Sequence, residues 1–497
     1  MKTCKNILLS ALVLFSFSSC SDWFEVQPEN EIAKEDLFAS YDGYRTALNG
    51  IYRNLSDASL YGNNLSFGFI SLLGQNYDVP AYILPYDVSG NIVNYEYDNA
   101  NVKSITQAVW EKAFNTVANC NLLIQNAEQR EANFFDEGEN ERNVIIGEAK
   151  GLRAFVHFDL LRLFAPAPVT GDDASYIPYV SSYLTSHPVH LPTSVVLDSI
   201  INDLQEAQRL LADNDTLVNV KMMQSVNYRF EGNYNGGGFF AYRGTRMNYV
   251  AVNALLARVY LYKGDKATAY KYAREAYRFY SEKKWYSFTS ESNLSNTNVE
   301  YRRCKLYEDI LLAFYNTNIY DIYESWLTTH FYWATNHLPI KNRTDLFEGD
   351  ETDFRYRYML HSGGYSLKWV RVSDANALWY ITDQYPLLPV IRMSEVFYIM
   401  CEYLADNNLM EAITLLNTLR IARGASQLSM SLTKDEFLTC LYNDATREFI
   451  AEGQTFYLYK RLFSNINSDE NGYDTNTYGA KEERYVLPLP SGEIANR

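Results

Sequence analysis

Apolar residues recur at helical spacing in the middle of the chain. Ile145, Ala149, Leu152 and Val156 follow one another at steps of four, three and four residues. Residues three and four positions apart lie on one face of an α-helix, so this spacing predicts an amphipathic helix. An Ala-Pro-Ala-Pro run occupies positions 165–168. Because proline lacks a backbone N–H, the run predicts the end of that helix.

Two later segments have the spacing of tetratricopeptide-like helix hairpins. In the first, Leu256 and Tyr260 precede a turn at Gly264, and Ile399 and Tyr403 repeat the pattern about 143 residues later. The packing positions of the second helices are Ala269, Ala273, Ala276, Ala412, Leu416 and Leu419. Any antiparallel helix pair shares much of this spacing, but two segments fit the same template. Further helices are predicted at about 104–127 and 194–211.

The sequence therefore predicts a mainly α fold with little strand. We expect one domain at 20–497, with a helical scaffold at about 104–280 and 390–465. Residues at about 60–103 and 281–392 show no helical period and are rich in aromatic side chains. Long stretches without a period inside a compact domain are usually functional, so we expect these loop-rich stretches to form a ligand face.

Composition supports a ligand-binding surface and excludes some partners. The 497 residues include 42 Tyr, 26 Phe and 7 Trp, which together make 15% of the chain. Tyrosine favours half-hydrated positions, so part of this aromatic surface is expected to face a partner. The formal charge is −16, from 44 Lys and Arg against 60 Asp and Glu. A nucleic acid is excluded as a partner because phosphate binding requires clustered basic residues.

The first segment indicates export and lipid attachment. Residues 1–19 combine a basic start, a short apolar run from Ile7 to Phe15 and small residues before Cys20. The apolar run has about half the length of a membrane-spanning helix. Residues 17–20 resemble a bacterial lipobox, which implies cleavage before Cys20 and acylation of that cysteine. An ordinary signal peptide followed by a chance cysteine is the alternative.

The remaining cysteines do not indicate a metal site. Cys120, Cys304, Cys401 and Cys440 lie far apart, without a Cys-x-x-Cys motif or a histidine at ligand spacing. We interpret them as buried apolar residues. In an exported protein a disulfide among them stays open as an alternative.

Catalytic motifs are absent from the sequence. None of the six histidines belongs to a His-Glu-x-x-His motif, and His157 lies in the predicted central helix, where a core role is expected. The glycines at 236–238 lack the Gly-Lys-Ser/Thr of a phosphate loop, and no Gly-x-Ser-x-Gly elbow is present. A glycosidase carboxylate pair cannot be recognised from sequence because its signal is a distance. We therefore expect no enzyme activity, no metal and no cofactor.

Several helical segments, taken in order, resemble one known family. The matching segments are Glu148 to Phe164, Asn253 to Asp265, Arg392 to Tyr398, Ala412 to Arg420, Arg447 to Arg461 and Leu487 to Ile494. Together with the start at Cys20, they resemble the SusD/RagB family of outer-membrane nutrient-binding lipoproteins over nearly the whole chain. The motif Arg-Glu-Phe-x-x-Glu-Gly at 447–453 is the most specific part. Gln454, Tyr457 and Tyr459 depart from the family pattern in the framework, which leaves the fold expectation intact.

The resemblance implies a non-catalytic subunit on the outer face of a Bacteroidetes outer membrane. Such subunits cap a SusC-like TonB-dependent transporter and hold glycans, or in some members peptides, above its pore. The ligand contacts of the family lie in variable loops, so the resemblance transfers no binding residue to this chain.

Candidate binding residues follow instead from the chemistry of sugar recognition. Aromatic rings cover the C–H face of a sugar, and amides and carboxylates bond its hydroxyls, at low conformational cost. The candidates are Asn76, Tyr77, Asp78, Tyr82, Tyr86, Trp285, Tyr315, Tyr320, Tyr323, Trp326 and Trp333. Our hypothesis is that the two loops carrying these residues meet across the helical scaffold to form the site.

Three alternatives to glycan binding stay open at this point. An enzyme would need a carboxylate pair in a deep cleft and would release reducing ends from glycans. A structural scaffold would bind only the transporter and give no heat with any carbohydrate or peptide. A peptide ligand is the strongest variant, since tyrosine-rich surfaces bind peptides equally well.

Overall fold

The computed structural model describes residues 34–79, 87–184, 188–231, 238–297, 301–330, 338–370, 385–466 and 479–495. Helices of nine or more residues form its framework, as the sequence predicts. They are α1 (Tyr41–Leu55), α2 (Ala100–Glu128), α3 (Gly138–Phe164), α4 (Thr193–Asp213), α5 (Tyr249–Lys263), α6 (Lys266–Ser281), α7 (Ile319–His330), α8 (Met393–Asn407), α9 (Leu409–Ala422), α10 (Lys434–Glu448) and α11 (Gln454–Leu462).

Strands are few and short in the described part of the chain. The strands β1 (Ser175–Pro178) and β2 (His190–Pro192) form one antiparallel pair, and β3 (Ile310–Tyr315) and β4 (Leu387–Arg392) form another. The shorter helices are Lys34–Leu37, Phe69–Leu73, Val88–Val93, Lys221–Gln224, Val226–Glu231, Glu291–Leu294, Arg343–Leu346, Phe354–Met359, Glu482–Tyr485 and Ser491–Ala495.

Helix α3 lies at the centre of the fold. It packs against α2 on one side and α4 on the other. Its end at Phe164 is the one that the proline run predicts, and the N–H of Ala165 still bonds the carbonyl of Leu161 at 3.0 Å. The sequence predicts one apolar face, but the structure buries both faces because the charged side chains of α3 find buried partners. Arg153, for example, forms a bidentate pair with Asp203 at 2.7 Å.

The two predicted helix hairpins are present as α5–α6 and α8–α9. Gly264 ends α5 with a φ of 93°, and Asp265 caps α6 by accepting the N–H of Thr268 at 2.9 Å. A left-handed turn of this kind favours glycine because a side chain would be strained there. Tyr270 and Tyr403 stack at 4.4 Å between ring centroids and join the two hairpins. The helices thus form a packed series from α2 through α6 to α8 and α9.

Regular structure extends into the stretches where the sequence shows no helical period. The described parts of 60–103 and 281–392 hold short helices, α7, β3 and β4. Helix α7 has twelve residues, and its aromatic residues Tyr320, Tyr323 and Trp326 recur at steps of three and are all buried. The expected absence of a helical period was therefore wrong at α7. Helix α1 was also not predicted, although Tyr44, Leu48, Ile51 and Leu55 form its buried face.

The cysteines are free, and three of them lie in the core. Cys120, Cys304 and Cys401 are buried, as predicted, while Cys440 is half-buried. None of these four described cysteines forms a disulfide. Cys20 lies outside the described residues. Among the helices of the described ranges, none is both long enough and apolar enough to cross a membrane.

Candidate functional site

A cavity of about 830 Å³ opens beside the end of β3, and we refer to it as the Tyr315 groove. Tyr315, a predicted binding residue, is the last residue of β3 and is 51% exposed. The groove is lined by Arg45, Asn49, Tyr52, Arg53, Phe230, Gly238, Phe239, Ala241, Tyr242, Thr245, Arg246 and Tyr315. Its volume lies within the range that small-ligand sites usually have.

Aromatic rings supply one part of the lining. Tyr242 is 48% exposed, and Phe239 is half-buried under the guanidinium groups of Arg45 and Arg246, at 5.2 and 4.3 Å from its ring centroid. The backbone of Tyr242 is left-handed, with a φ of 58°. This conformation costs about 1 kcal/mol or more for a residue with a side chain, and such strain concentrates at functional sites. The exposed rings of Tyr242 and Tyr315 therefore form an accessible aromatic part of the groove wall.

A polar row on α1 supplies another part of the lining. Arg45, Asn49 and Arg53 are spaced four residues apart, so they lie on one face of this helix. Arg45 is fixed by Glu141, whose carboxylate accepts from Nε at 2.6 Å and from Nη2 at 2.9 Å. The side chains of Asn49 and Arg53 are exposed. The row therefore presents an amide and a guanidinium to a ligand that carries hydroxyl or carbonyl oxygens.

A buried ion cluster holds the floor of the groove in place. Glu148 is fully buried and accepts from Nε of Arg246 at 3.0 Å, and it also pairs with Arg243. The hydroxyl of Tyr52 donates to Glu148 at 2.6 Å and accepts the N–H of Met247 at 2.8 Å. Burial, reinforced by the charge of Glu148, raises the pKa of Tyr52 well above its ordinary value. Tyr52 therefore stays a neutral hydrogen-bond donor, and the floor is rigid.

The described lining of the groove carries no acidic side chain. The described residues that line the Tyr315 groove include no Asp, Glu or His. A glycosidase needs two carboxyl groups beside the scissile bond, and the described part of the lining holds none. Across the described residues, no group of three or more His, Cys, Asp and Glu side chains could hold a metal ion. The groove lining holds aromatic rings, which can stack on a ligand, and an amide and guanidinium groups, which can donate hydrogen bonds.

The two predicted loops do meet, but they meet inside the protein. Tyr77 forms an antiparallel bridge with Ile340, and its ring centroid lies 5.9 Å from that of Trp326. Its hydroxyl donates to the carbonyl of Phe67 at 2.8 Å. Tyr77 is 3% exposed and Trp326 is 6% exposed, so these rings pack against each other in the core. This contact explains how the two loops come together.

The other predicted residues are dispersed. Tyr320 and Tyr323 are buried, Trp285 is half-buried against Phe279, and Asp78 is exposed. Asn76 is buried beside a separate cavity of about 210 Å³. Tyr82, Tyr86 and Trp333 lie outside the described residues, so their role stays a prediction. Tyr315 is thus the predicted residue that the structure places in the large groove.

Sequence reasoning missed most of the groove. Arg45, Asn49 and Arg53 lie in the unpredicted helix α1, and Tyr242 lies outside the two stretches that were expected to form the ligand face. The spacing of four residues along α1 was the available signal for the polar row. The left-handed backbone of Tyr242 leaves no signature in the sequence.

Comparison with known proteins finds relatives in sequence and in fold. SusD-like protein P2 of Formosa agariphila is 28% identical over 208 residues, which cover 41% of this chain and 37% of the relative. SusD-like protein P25 of the same organism is 25% identical over 223 residues, which cover 42% of this chain and 38% of the relative. The chain thus spans less than two fifths of the length of these curated relatives. No family model matches the chain.

Solved structures match over a much larger share of the chain. A SusD superfamily protein from Bacteroides vulgatus has a TM-score of 0.70 and 18% identity, covering 92% of this chain and 97% of its own. A SusD-like carbohydrate binding protein from the same organism has a TM-score of 0.67 and 17% identity, covering 92% and 96%. At these identities the likeness shows the fold, which is mainly helical as predicted.

Proposed function

This chain is a member of the SusD/RagB family, and from that premise we propose that it binds an oligosaccharide at the cell surface and passes it to a transporter without catalysing a reaction. The observation that carries the proposal is the Tyr315 groove, where exposed tyrosine rings and a row of polar donors line one cavity. Sugar-binding or carbohydrate-binding names among the fold relatives support the ligand class.

The groove lining matches the two chemistries of a sugar. The rings of Tyr242 and Tyr315 stack against the apolar C–H face, and tyrosine has few rotatable bonds to order on binding. The amide of Asn49 and the guanidinium of Arg53 donate to ring hydroxyls. The ion cluster around Glu148 keeps the groove floor in place before the ligand arrives, which lowers the cost of binding.

Two tyrosine variants test this site. We expect Tyr242→Ala and Tyr315→Ala each to weaken binding of a neutral oligosaccharide about tenfold, since each removes one stacking ring. Calorimetry with a panel of neutral oligosaccharides gives the affinities. Tyr272→Ala is the control, because Tyr272 is a half-buried tyrosine on α6 that does not line the groove. Unchanged affinity in both groove variants would overturn the placement of the site.

A peptide ligand is an outcome of the same experiment. The panel includes short peptides. If peptides bind and no oligosaccharide does, the ligand of the groove is a peptide rather than a glycan. A chain that binds neither class, yet copurifies with a transporter, would be a structural lid. Release of reducing ends from any glycan would contradict the absence of catalysis.

Attachment to the outer membrane forms the second half of the proposal. After cleavage of residues 1–19, acylation of Cys20 anchors the chain at the cell surface beside a SusC-like TonB-dependent transporter. Cys20→Ala is expected to move the protein from the membrane fraction to the soluble fraction, with Ser21→Ala as the control. A Cys20→Ala protein that stays in the membrane fraction would contradict the anchor. Copurification of a transporter encoded nearby would test the partner.

A further inference from the structure

A second cavity, of about 560 Å³, is lined by three arginines. They are Arg302, Arg343 and Arg357, and Glu351 is the one acidic residue among the described residues that line this cavity. The chain as a whole carries a formal charge of −16. Three guanidinium groups facing one carboxylate therefore make a positive site on an acidic protein, and we call it the arginine cavity.

Two of these arginines are held in place by neutral groups. Arg302 donates from Nε to the carbonyl of Asn296 and from Nη1 to the carbonyl of Tyr358, both at 2.9 Å. Arg343 donates from Nη1 to the carbonyl of Ser362 at 3.2 Å. Backbone carbonyls orient a guanidinium without cancelling its charge. The positive charge therefore remains available to a ligand, together with further N–H donors.

The backbone around Arg343 is shaped for its side chain. Gly364 has a φ of 85°, and a Cβ added there would lie 2.9 Å from Nη1 of Arg343. A side chain at this position would be strained and would press on the guanidinium. The turn that carries Gly364 thus leaves room for Arg343 beside the cavity.

His361 is part of the lining of the same cavity. Its Nδ1 accepts the N–H of Gly363 at 3.0 Å, and its ring stacks on Tyr365 at 4.3 Å between centroids. Because Nδ1 acts as an acceptor, the neutral ring carries its hydrogen on Nε2. The stacked ring is held in place, and His361 therefore adds one further N–H donor to the lining of the cavity.

We propose that the arginine cavity binds the acidic group of an anionic saccharide, either a carboxylate or a sulfate ester. Guanidinium forks bond both kinds of oxyanion with paired N–H donors, and such bonds are about twice as strong as neutral ones. The inference rests on the proposed binding of saccharides and adds the class: the ligand carries negative charge.

Equilibrium dialysis with radiolabelled inorganic sulfate tests the site directly. The full chain is compared with an Arg343→Gln/Arg357→Gln variant, which we expect to bind sulfate at least about tenfold more weakly. Arg357 is exposed and Arg343 is half-exposed, so the variant is expected to fold, and its thermal melt checks this. Arg274→Gln on α6 removes one exposed arginine outside the cavity and serves as the control. Equal sulfate binding in all three proteins would overturn the site.

Three saccharide probes distinguish a bound sugar acid from a free anion. They are a tetragalacturonate, its methyl ester and a sulfated carrageenan tetrasaccharide. We expect the two acidic probes to bind the unaltered chain and to lose about tenfold or more in the double arginine variant. Their binding is also expected to weaken with added salt. Binding of sulfate with neither acidic saccharide would overturn the saccharide assignment and leave a site for a free anion.

The result is separable from that of the proposed function. Tyr242→Ala tests the Tyr315 groove with neutral probes, whereas the arginine variant tests the cavity with sulfate. If the arginine variant leaves acidic probes unaffected while Tyr242→Ala weakens neutral ones, the arginine cavity fails and the proposed function stands. If sulfate binding is lost in the arginine variant while no neutral or acidic saccharide binds, the proposed function fails and the saccharide assignment fails with it.

Discussion

The ring of His157 on α3 donates from Nδ1 to the backbone carbonyl of Arg153, one turn earlier, at 2.9 Å. Its Nε2 accepts the N–H of Val180 at 3.0 Å. Only the neutral tautomer with hydrogen on Nδ1 satisfies both bonds, because a protonated ring has no acceptor. Burial, together with the positive charge of Arg153, lowers the pKa of His157 to about 4. His157 is thus a core residue, as its place in the sequence predicts.

This pKa makes folding stability depend on pH. The unfolded histidine titrates at about 6.5, so below that pH the unfolded chain binds a proton that the folded chain excludes. Neutral His157 thereby contributes about 3 kcal/mol to the free energy of unfolding. This contribution is fully present above about pH 6.5 and is lost as the pH falls towards 4. Urea unfolding at pH 7.5, 5.5 and 4.5 measures it. His157→Gln should flatten this loss, whereas His361→Gln, at a half-buried position far from α3 in the chain, should not. If the free energy of unfolding changed with pH in the same way in the unaltered chain and both variants, the lowered pKa of His157 would be contradicted.

Glu448 at the end of α10 is the centre of a buried arginine cluster. Its carboxylate accepts from Arg423 at 2.6 Å and from Arg355 at 3.1 Å, and it also pairs with Arg392. All four side chains are fully or nearly fully buried. Arg423 and Arg392 hold the pKa of Glu448 well below its ordinary value, against the effect of burial. The motif at 447–453 thus places one of the buried acids that pair with these guanidinium groups.

Removing this charge is expected to destabilise the fold. Glu448→Gln leaves three buried guanidinium groups short of one negative charge, which costs about 3–5 kcal/mol. The free energy of unfolding in urea at pH 7.5 gives the value. Glu411→Gln on the exposed face of α9 should change it by less than about 0.5 kcal/mol. A similar, small loss in both variants would show that the cluster does not hold the core together.

The helical scaffold could be predicted from sequence because its signal is local. In α3, α5 and α8, apolar residues recur every three or four positions, and proline or glycine marks the ends of α3 and α5. The charged residues of α3 were harder to interpret, since their partners lie far away in the chain. Arg243 meets Glu148 across 95 positions. Such pairing is set by the packing of helices, which no local spacing encodes.

The binding surface could not be predicted in the same way. A tyrosine in a stretch without a period is compatible with the core and with solvent, and the count of rings does not separate the two. Tyr77 and Trp326 pack against each other and are buried in the core. Tyr315 lies at the end of β3 and is exposed to solvent. For this reason Trp326→Ala would report on core stability rather than on ligand binding.

The cysteines should differ sharply in reactivity. Burial raises the pKa of Cys120 and of Cys304 to about 12, and it raises the pKa of Cys401 well above the ordinary value. Only the thiolate reacts, so at pH 8 Cys120 and Cys304 should label about a thousandfold more slowly than a free thiol, and Cys401 should also label slowly. Half-buried Cys440 should label first among the four. Peptide mapping after timed N-ethylmaleimide treatment measures each rate, and labelling of Cys120 as fast as Cys440 would contradict the burial.

Comparing alanine substitutions at Gly453 and Gly264 measures how much a close backbone contact costs in stability. Both have positive φ, 76° and 93°, so alanine costs about 1 kcal/mol of conformational strain at either position. A Cβ at Gly453 would lie 2.6 Å from the carbonyl oxygen of Leu65, whereas a Cβ at Gly264 would meet nothing within 4 Å. Gly453→Ala should therefore lose about 1–3 kcal/mol more than Gly264→Ala, since the backbone at Leu65 must shift. Urea unfolding of the two variants measures the difference, and equal losses would mean that the contact between α11 and the segment at Leu65 is loose.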